Sequence, residues 1–202
     1  MVAALAGVLI AFSFEPIGLW FIAPLSYALF LRICQKGEHL YRRAFLFGFI
    51  SSAITLWWAG KYVGLIPLAL LALLHGLFYL PLGLLGRYTT NFFWFIPTLL
   101  AIEEIRSFFP FGGFSWMRIA FSQADAPYVR LASVGGVSLL TLATLLLGVA
   151  AYRLAQRGSG LTLPAIAIVL TLLGIFMPLN NSPRQTFQVL AVQGSVPKLG
   201  LD

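Results

Sequence analysis

Two acidic and two basic side chains lie close together in sequence, between residues 103 and 118 of this largely apolar chain. Glu103 and Glu104 are followed within one helical turn by Arg106, and Arg118 comes after a segment rich in glycine and aromatic residues. Carboxylates in an apolar setting usually pair with guanidinium groups, which also bind phosphate and carboxylate ligands. The cluster therefore predicts either an ion pair that fixes a loop or a site for a charged ligand.

Groups for nucleophilic or metal-assisted chemistry are few. Cys34 is the single cysteine, and we expect it in a loop beside basic residues, where a thiol is more often incidental than catalytic. His39 follows five residues later, but no third or fourth ligand completes a zinc set. His75 lies within an apolar run, where a histidine is either functional or neutral and hydrogen-bonded to a neighbouring helix. We therefore predict no catalytic residue, no metal site and no cofactor.

The composition excludes a soluble globular protein. Of the 202 residues, 60% are hydrophobic and 9% are charged, and the mean hydropathy is +0.93. Soluble domains have about 45–50% apolar and about 25% charged residues. The net charge of +7 comes from 13 basic and 6 acidic residues. Because most basic residues flank apolar runs, membrane topology explains this charge, and no nucleic-acid partner is predicted.

Seven apolar runs predict an all-α polytopic membrane protein, with about seven transmembrane helices over residues 1–180. A helix needs roughly 20 residues to cross about 30 Å of hydrocarbon. The first run is shorter, and we expect it to be a helix that lacks its upstream part, with a broken path through residues 14–20 as the alternative. In the sixth run, Gly135 and Gly136 are predicted to be close-packing positions. The runs cover residues 1–12, 17–33, 44–60, 65–86, 92–107, 131–154 and 161–178.

The distribution of basic residues predicts the orientation of these helices. If the N-terminus is inside, the inward loops carry seven basic residues, and the outward loops up to the sixth run carry four. Cytoplasmic loops are enriched in Lys and Arg, so this count favours an inside N-terminus and places residues after 180 outside. The inward set is Arg32, Lys36, Arg42, Arg43, Arg87, Arg153 and Arg157, and the outward set is Lys61, Arg106, Arg118 and Arg130.

Two segments depart from the helical pattern. Residues 106–130 combine glycine, proline, aromatic and charged residues, which predicts a structured outward loop. Residues 181–202 predict a linker followed by one strand over 187–193. A single strand leaves its backbone groups without partners, so we expect these residues to be the start of a larger α/β domain.

Three stretches together resemble the apolipoprotein N-acyltransferases, bacterial membrane enzymes that add the third acyl chain to lipoproteins. The most specific stretch combines EIRS at 104–107 with FGGFSWMR at 111–118 and FSQ at 121–123. The other two are FEPIGLW at 14–20, with APL at 23–25, and VLAVQGSVP at 189–197. The last of these resembles the first strand of the family's nitrilase-like domain, and the order of helices and strand also fits.

Two departures from the family pattern bear on function. Ser115 stands where the family has proline in its Gly-Gly-Phe-Pro-Trp motif. The family's catalytic Glu, Lys and Cys lie beyond the first strand, whereas this sequence has no Glu and no Cys after Asp125. The resemblance therefore implies the membrane part of the enzyme with the first strand of an incomplete nitrilase-like domain, inactive as an acyltransferase when alone.

The resemblance also implies the reaction, which transfers an acyl chain from a phospholipid to the N-terminal diacylglyceryl-cysteine of a lipoprotein. The partners are then a phospholipid donor, an apolipoprotein acceptor and the bilayer of the bacterial cytoplasmic membrane. Trp116 is expected to pack against an acyl chain and Arg118 to bind the phosphate, with simple anchoring at the headgroup level as the alternative. Gly113, Glu104 and Arg106 complete the predicted substrate-binding set.

Two other functions fit parts of the pattern. A non-catalytic anchor or scaffold is one, because an acyltransferase-like membrane region accompanies a polyprenol-phosphate mannosyltransferase in some actinobacteria. A small transporter is the other. It is disfavoured because only His75 lies deep in an apolar run and no paired broken helices occur in two halves of the sequence.

Overall fold

The computed structural model describes residues 1–35, 38–88, 94–156, 162–178 and 189–192. Within these ranges the chain forms nine α-helices and no β-strand, and helices occur at all seven predicted positions. The all-α prediction for this part of the chain is therefore confirmed. The helices are α1 (Val2–Phe12), α2 (Ile22–Gln35), α3 (Leu40–Thr55), α4 (Trp57–Tyr62), α5 (Leu65–Phe78), α6 (Leu80–Tyr88), α7 (Phe95–Arg106), α8 (Ala132–Ala155) and α9 (Thr162–Phe176).

Prolines mark the starts of four helices. Pro24, Pro67, Pro97 and Pro164 are each the third residue of their helix, in α2, α5, α7 and α9. The first-turn amide groups have no partner within the helix, so the missing proline N–H costs nothing there. The fixed φ of proline also suits the first turn, which explains why these helices begin where they do.

Two of the predicted runs are each divided into two helices. The run at 44–60 is interrupted at Leu56, which has φ −100° and ψ 20° and separates α3 from α4. The run at 65–86 is interrupted at Tyr79, two residues before Pro81, whose ring interferes with a continuous helix.

Two helical stretches of the described chain have the length and hydropathy needed to cross a membrane. Leu65–Tyr88 has 24 residues and Val129–Ala155 has 27 residues, with interruptions of the regular helix at Tyr79 and at Gly135 and Gly136. Val2–Phe12, Ile22–Gln35 and Pro164–Phe176 are apolar but shorter. Seven membrane crossings therefore remain a prediction.

The glycine pair of α8 breaks the helix, and the close-packing prediction is wrong at Gly136 only, since a Cβ atom on Gly135 would lie 2.5 Å from Cβ of Leu139. Gly135 has φ −122° and ψ 17°, and Gly136 has φ 60° and ψ −158°. A Cβ atom on Gly136 would meet no atom within 4 Å. Only glycine adopts the backbone conformation of Gly136 readily. A glycine is therefore needed at this position for its backbone angles and not for lack of space.

The end of α2 corrects the prediction for Cys34. The helix continues to Gln35, and Cys34 lies in its last turn with 3% exposure, whereas a loop position was expected. The last turn is fixed by packing, because the carbonyl of Cys34 lies against Gly86 and the hydroxyl of Tyr152 donates to Gln35 Oε1 at 3.1 Å. A thiol in this position is inaccessible to substrates.

Aromatic rings form the centre of the bundle. Phe30 of α2 stacks on Phe47 of α3 with 4.0 Å between ring centroids, and Tyr79 packs against both rings. Gly48 allows α3 and α5 to approach closely, since a Cβ there would lie 2.9 Å from the carbonyl oxygen of His75. This core joins the N-terminal helices to the segment that carries His75.

The predicted C-terminal strand is only partly covered by the structure. Residues 189–192 adopt neither helix nor strand. The remainder of the strand predicted at 187–193, and the linker before it, lie outside the described residues.

Candidate functional site

Exposed aromatic side chains cluster in one connection between helices. Residues 107–118, which we call the aromatic loop, follow α7 and lead into two 3₁₀ turns before α8. Phe108, Phe109 and Trp116 are 65%, 59% and 52% exposed, and Phe111 is fully exposed. Contiguous exposed apolar surface on a protein usually marks a binding or membrane-contact surface.

Glycine determines the course of this loop. Gly112 and Gly113 both have φ +90°, a conformation that costs other residues energy. At Gly113 there is also no space, because a Cβ would lie 2.1 Å from the carbonyl oxygen of Ser107. The next residue, Phe114, donates its N–H to the Arg106 carbonyl at 2.7 Å, so the loop folds back onto α7. Gly113 therefore shapes the loop, and its predicted part in substrate binding stays a prediction.

Arg106 lies beneath the aromatic loop and binds its backbone. The side chain is 3% exposed, Nη1 donates to the carbonyl of Trp116 at 3.0 Å, and Nη2 donates to the carbonyl of Met117 at 3.1 Å. Nη1 also lies 3.2 Å from Nδ1 of His75. These contacts turn the guanidinium inward, away from the surface at which a ligand would bind.

His75 has a defined role in this arrangement. A guanidinium group can only donate hydrogen bonds, so Nδ1 of His75 accepts from Arg106 and the ring proton is on Nε2. A second cation would not be tolerated 3.2 Å from Arg106 in a buried site. The sequence left two interpretations of His75 open, a functional residue or a neutral histidine hydrogen-bonded to a neighbouring helix. The contacts match the second interpretation.

Glu103 completes the buried layer. Its Oε1 accepts the backbone N–H of Ile119 at 2.6 Å, and its Oε2 accepts the hydroxyl of Thr141 at 2.9 Å. Nη2 of Arg106 lies 4.0 Å from Oε1, and both side chains are almost fully buried. The buried charges are thus paired and hydrogen-bonded, as low-polarity surroundings demand. Together Glu103 and Arg106 hold residues 116–119 against α7.

Glu104 and Arg118 form a second ion pair nearer the surface. Nη2 of Arg118 donates to Oε1 of Glu104 in a close contact, and the Ser138 hydroxyl donates to the same oxygen at 2.6 Å. The Glu104 side chain is 46% exposed, whereas that of Arg118 is 11% exposed. Nε of Arg118 is buried and has no hydrogen-bond partner among the described residues. This outer pair therefore keeps binding capacity that the buried layer lacks.

Trp116 covers the junction between the loop and α4. Its ring packs on Trp58, with 4.9 Å between centroids, and on Phe114, with 5.5 Å. One part of the indole is therefore fixed by packing, and the other part faces outward. A large apolar surface held at a defined angle is suited to contact with an apolar ligand.

A further set of contacts joins the segment after the aromatic loop to residues 14–20, which connect α1 to α2. Gln123 is fully buried, donates through Nε2 to the Trp20 carbonyl at 3.3 Å, and accepts from the Tyr128 hydroxyl at 2.5 Å. Burial raises the pKa of Tyr128 to about 12, so the phenol stays protonated and donates at ordinary pH. Two stretches singled out in the sequence, at 14–20 and 121–123, are thereby in contact.

The five residues predicted to bind substrate lie in one region but in two layers. Trp116 and Glu104 are partly exposed, Arg118 is buried and pairs with Glu104, and Arg106 and Gly113 support the loop. Within the described ranges, no group of three His, Cys, Asp or Glu residues lies close enough together to hold a metal ion.

Three α8 residues that the sequence analysis passed over also belong to the site. Ser138 and Thr141 bind the two glutamates, and the Thr144 hydroxyl lies 3.4 Å from that of Tyr128. Residues three apart share a helix face. These three residues could have been identified from the sequence, because they place a polar side chain at every third position of an apolar run.

These features define the class to which the chain belongs. The chain is an apolar helical bundle with an exposed aromatic loop, and two of its helical stretches are long and apolar enough to cross a membrane. A family model described as the apolipoprotein N-acyltransferase N-terminal domain matches residues 6–150. The match includes most of the chain and the whole site, and the chain belongs to this family.

Individual relatives agree with the family assignment. The chain is 28% identical to the apolipoprotein N-acyltransferase of Vibrio vulnificus, over 96% of this chain and 42% of that protein. It is 31% identical to the enzyme of the same name from Methylococcus capsulatus, over 98% of this chain and 44% of that protein. With the namesake from Aquifex aeolicus it shares 31% identity over 67% of this chain and 32% of the relative. The chain therefore spans less than half the length of these relatives.

Proposed function

We propose that this chain is the membrane part of an apolipoprotein N-acyltransferase and that its aromatic loop positions the lipid substrates. The observation that carries the proposal is the two-layered site. A buried ion pair fixes the loop backbone, while Trp116 and Glu104 remain partly exposed and the largely buried Arg118 pairs with Glu104. Fixed positioning of two amphiphilic reactants is a large contribution to an acyl transfer between them.

The proposed membrane arrangement has the helices crossing the bilayer with the aromatic loop at the outer surface and the N-terminus inside. Leu65–Tyr88 and Val129–Ala155 are long enough to cross, and the bias of basic residues supports the orientation. Exposed Phe and Trp side chains on the loop then lie at the headgroup level, where aromatic residues are favoured.

In the proposed site the outer pair binds polar groups of the lipid and Trp116 binds its apolar part. Glu104 offers a carboxylate that is half exposed, and the buried Nε of Arg118 offers a donor without a partner among the described residues. The Glu104 carboxylate matches an amine group of a substrate, and the Arg118 guanidinium matches a phosphate group. Arg106 acts as a positioning residue, since its donors are used by the loop.

Binding of a diacylated lipopeptide to the purified chain in neutral detergent tests this site. Trp116→Ala is expected to weaken binding by about tenfold or more, because burying half a Trp side chain removes roughly 100 Å² of apolar surface from water. Trp94→Ala is the matched control, since Trp94 and Trp116 are equally exposed at 52% and Trp94 precedes α7 rather than following it. Equal binding by the parent and the Trp116 variant would contradict the proposal.

Cysteine labelling tests the orientation. In a Cys34→Ser background, Phe111→Cys is expected to react with a membrane-impermeant maleimide in intact spheroplasts, whereas Glu38→Cys should react only after permeabilisation. Both positions are suitable because the Phe111 residue is fully exposed and the Glu38 side chain is 91% exposed. The native Cys34 is a poor reporter at 3% exposure. The reverse labelling pattern would invert the proposed topology.

Acyl transfer by the isolated chain is expected to be absent. The described residues hold no thiol, base and oxyanion donors on one accessible face, as nucleophilic acyl transfer requires, because Cys34 is buried in α2. Incubation with phospholipid and a diacylated lipopeptide should add no acyl mass to the peptide. Turnover that survives Cys34→Ser would reveal another nucleophile, and turnover abolished by it would reveal chemistry at the opposite end of the bundle.

A further inference from the structure

A second charged region lies at the end of the bundle opposite the aromatic loop. A groove with a volume of about 780 Å³ opens between the first turn of α1, the end of α2 and the start of α3. Its basic side chains are Arg32, His39, Arg42 and Arg43. Pockets for small molecules and cofactors have volumes of about 300–1,000 Å³, so this groove is large enough for a lipid headgroup.

Two of the basic side chains in this groove have no acidic partner among the described residues, whereas Nε2 of His39 lies 3.8 Å from the Glu38 carboxylate. No Asp or Glu lines the groove, and none of the ion pairs found among the described residues includes Arg32 or Arg42, both of which are exposed. Arg43 is oriented by a hydrogen bond from Nη1 to the Ile33 carbonyl at 3.3 Å. Several like charges facing one cavity repel each other, and an anion placed among them relieves that repulsion.

The same groove also has an apolar part. Leu29, Ile33 and Leu46 line it together with the arginines. A free phosphate ion would contact only the basic side chains, and a nucleic acid would leave the apolar wall uncovered. A phospholipid presents a phosphate next to hydrocarbon, which matches both parts of the lining.

We propose that this groove binds the headgroup of an anionic phospholipid from the inner leaflet. The arginines would contact the phosphate, and the first carbons of an acyl chain would lie along Leu29 and Leu46. Basic pockets between membrane helices on the cytoplasmic side are suited to anionic lipids. The inference depends on the membrane orientation proposed above and adds a lipid site remote from the aromatic loop.

The test is lipid retention by the purified chain in a neutral detergent, measured by native mass spectrometry and thermal unfolding. Phosphatidylglycerol is expected to remain bound and to raise the unfolding temperature, whereas phosphatidylcholine should do neither. Replacing both exposed arginines, as Arg32→Gln with Arg42→Gln, should weaken phosphatidylglycerol binding by about thirtyfold. Because both side chains are exposed, the double variant is expected to fold.

Arg87→Gln is the matched control. Arg87 is exposed and belongs to the same predicted inward set of basic residues, but it lines a different pocket. It should leave phosphatidylglycerol binding unchanged. If the Arg87 variant loses as much phosphatidylglycerol binding as the double variant, the lipid is attracted by the total charge of the protein. That result would overturn the proposed site. Competition by millimolar inorganic phosphate as effective as that by the lipid would overturn the lipid assignment.

The two proposals fail separately in this experiment. Trp116→Ala should retain phosphatidylglycerol while losing the diacylated lipopeptide. The double arginine variant should show the opposite result. Loss of both ligands in either variant would contradict the claim that the sites are distinct.

Discussion

Two glutamates that are neighbours in sequence have opposite surroundings in this protein. Glu103 is buried and its oxygens are used by Ile119, Thr141 and Arg106, whereas Glu104 is half exposed and pairs with Arg118. Neighbouring residues on a helix point about 100° apart, so one faces the bundle and the other its rim. The same residue type therefore has two roles here. Glu103 supports the loop from the buried layer, whereas Glu104 remains accessible in the outer pair.

The largest expected effect comes from breaking the buried layer. Arg106→Met leaves Glu103 as an unpaired buried charge and frees two loop carbonyls, which should cost about 3–5 kcal/mol of unfolding free energy. Thermal unfolding in detergent measures the change. Arg118→Met is the matched control from the outer pair, where Glu104 is free to hydrate and the loss should be about 1 kcal/mol or less. Similar losses in the two variants would remove the distinction between the layers.

The glycines of the aromatic loop provide the next test. Gly112→Ala and Gly113→Ala both place a side chain at φ +90°, with a strain of about 1–3 kcal/mol. Gly113→Ala also drives a Cβ into the Ser107 carbonyl, whereas a Cβ on Gly112 meets no atom within 4 Å. Gly113→Ala should therefore unfold at the lower temperature, by about 1–3 kcal/mol more. Equal melting temperatures would mean that the loop backbone adjusts freely.

A neutral hydrogen bond in the buried region should have an intermediate effect. Tyr128→Phe removes the donor to Gln123 Oε1, which should cost about 1–3 kcal/mol because a buried acceptor is left without a partner. Burial raises the pKa of Tyr128 to about 12, so this contribution is complete below about pH 10 and is lost as the pH rises through 12. The parent should lose unfolding free energy across this window more steeply than the Phe variant. Parallel pH curves would show that folding does not raise the pKa of Tyr128.

The sequence predicted the positions of the helices because apolar runs and first-turn prolines are local signals. The spacing of the charged residues between 103 and 118 also predicted that they form a cluster. It did not predict that Arg106 faces inward, because this depends on contact with the carbonyls of Trp116 and Met117. The burial of Cys34 was missed for a similar reason, since packing extends α2 beyond the apolar run. Tertiary contacts of this kind leave little trace in a single sequence.

The smallest expected effect on stability belongs to the outer pair, and it separates binding from folding. A double-mutant cycle with Glu104→Gln and Arg118→Gln should give a coupling energy of about 0.2–1 kcal/mol, because the half-exposed Glu104 carboxylate is hydrated when it is unpaired. Each single variant should nevertheless weaken lipopeptide binding, because a ligand bound at the rim loses a charged partner. A large coupling energy with unchanged lipopeptide binding would mean that Glu104 and Arg118 stabilise the fold and do not bind the ligand. The two layers would then differ only in their solvent exposure.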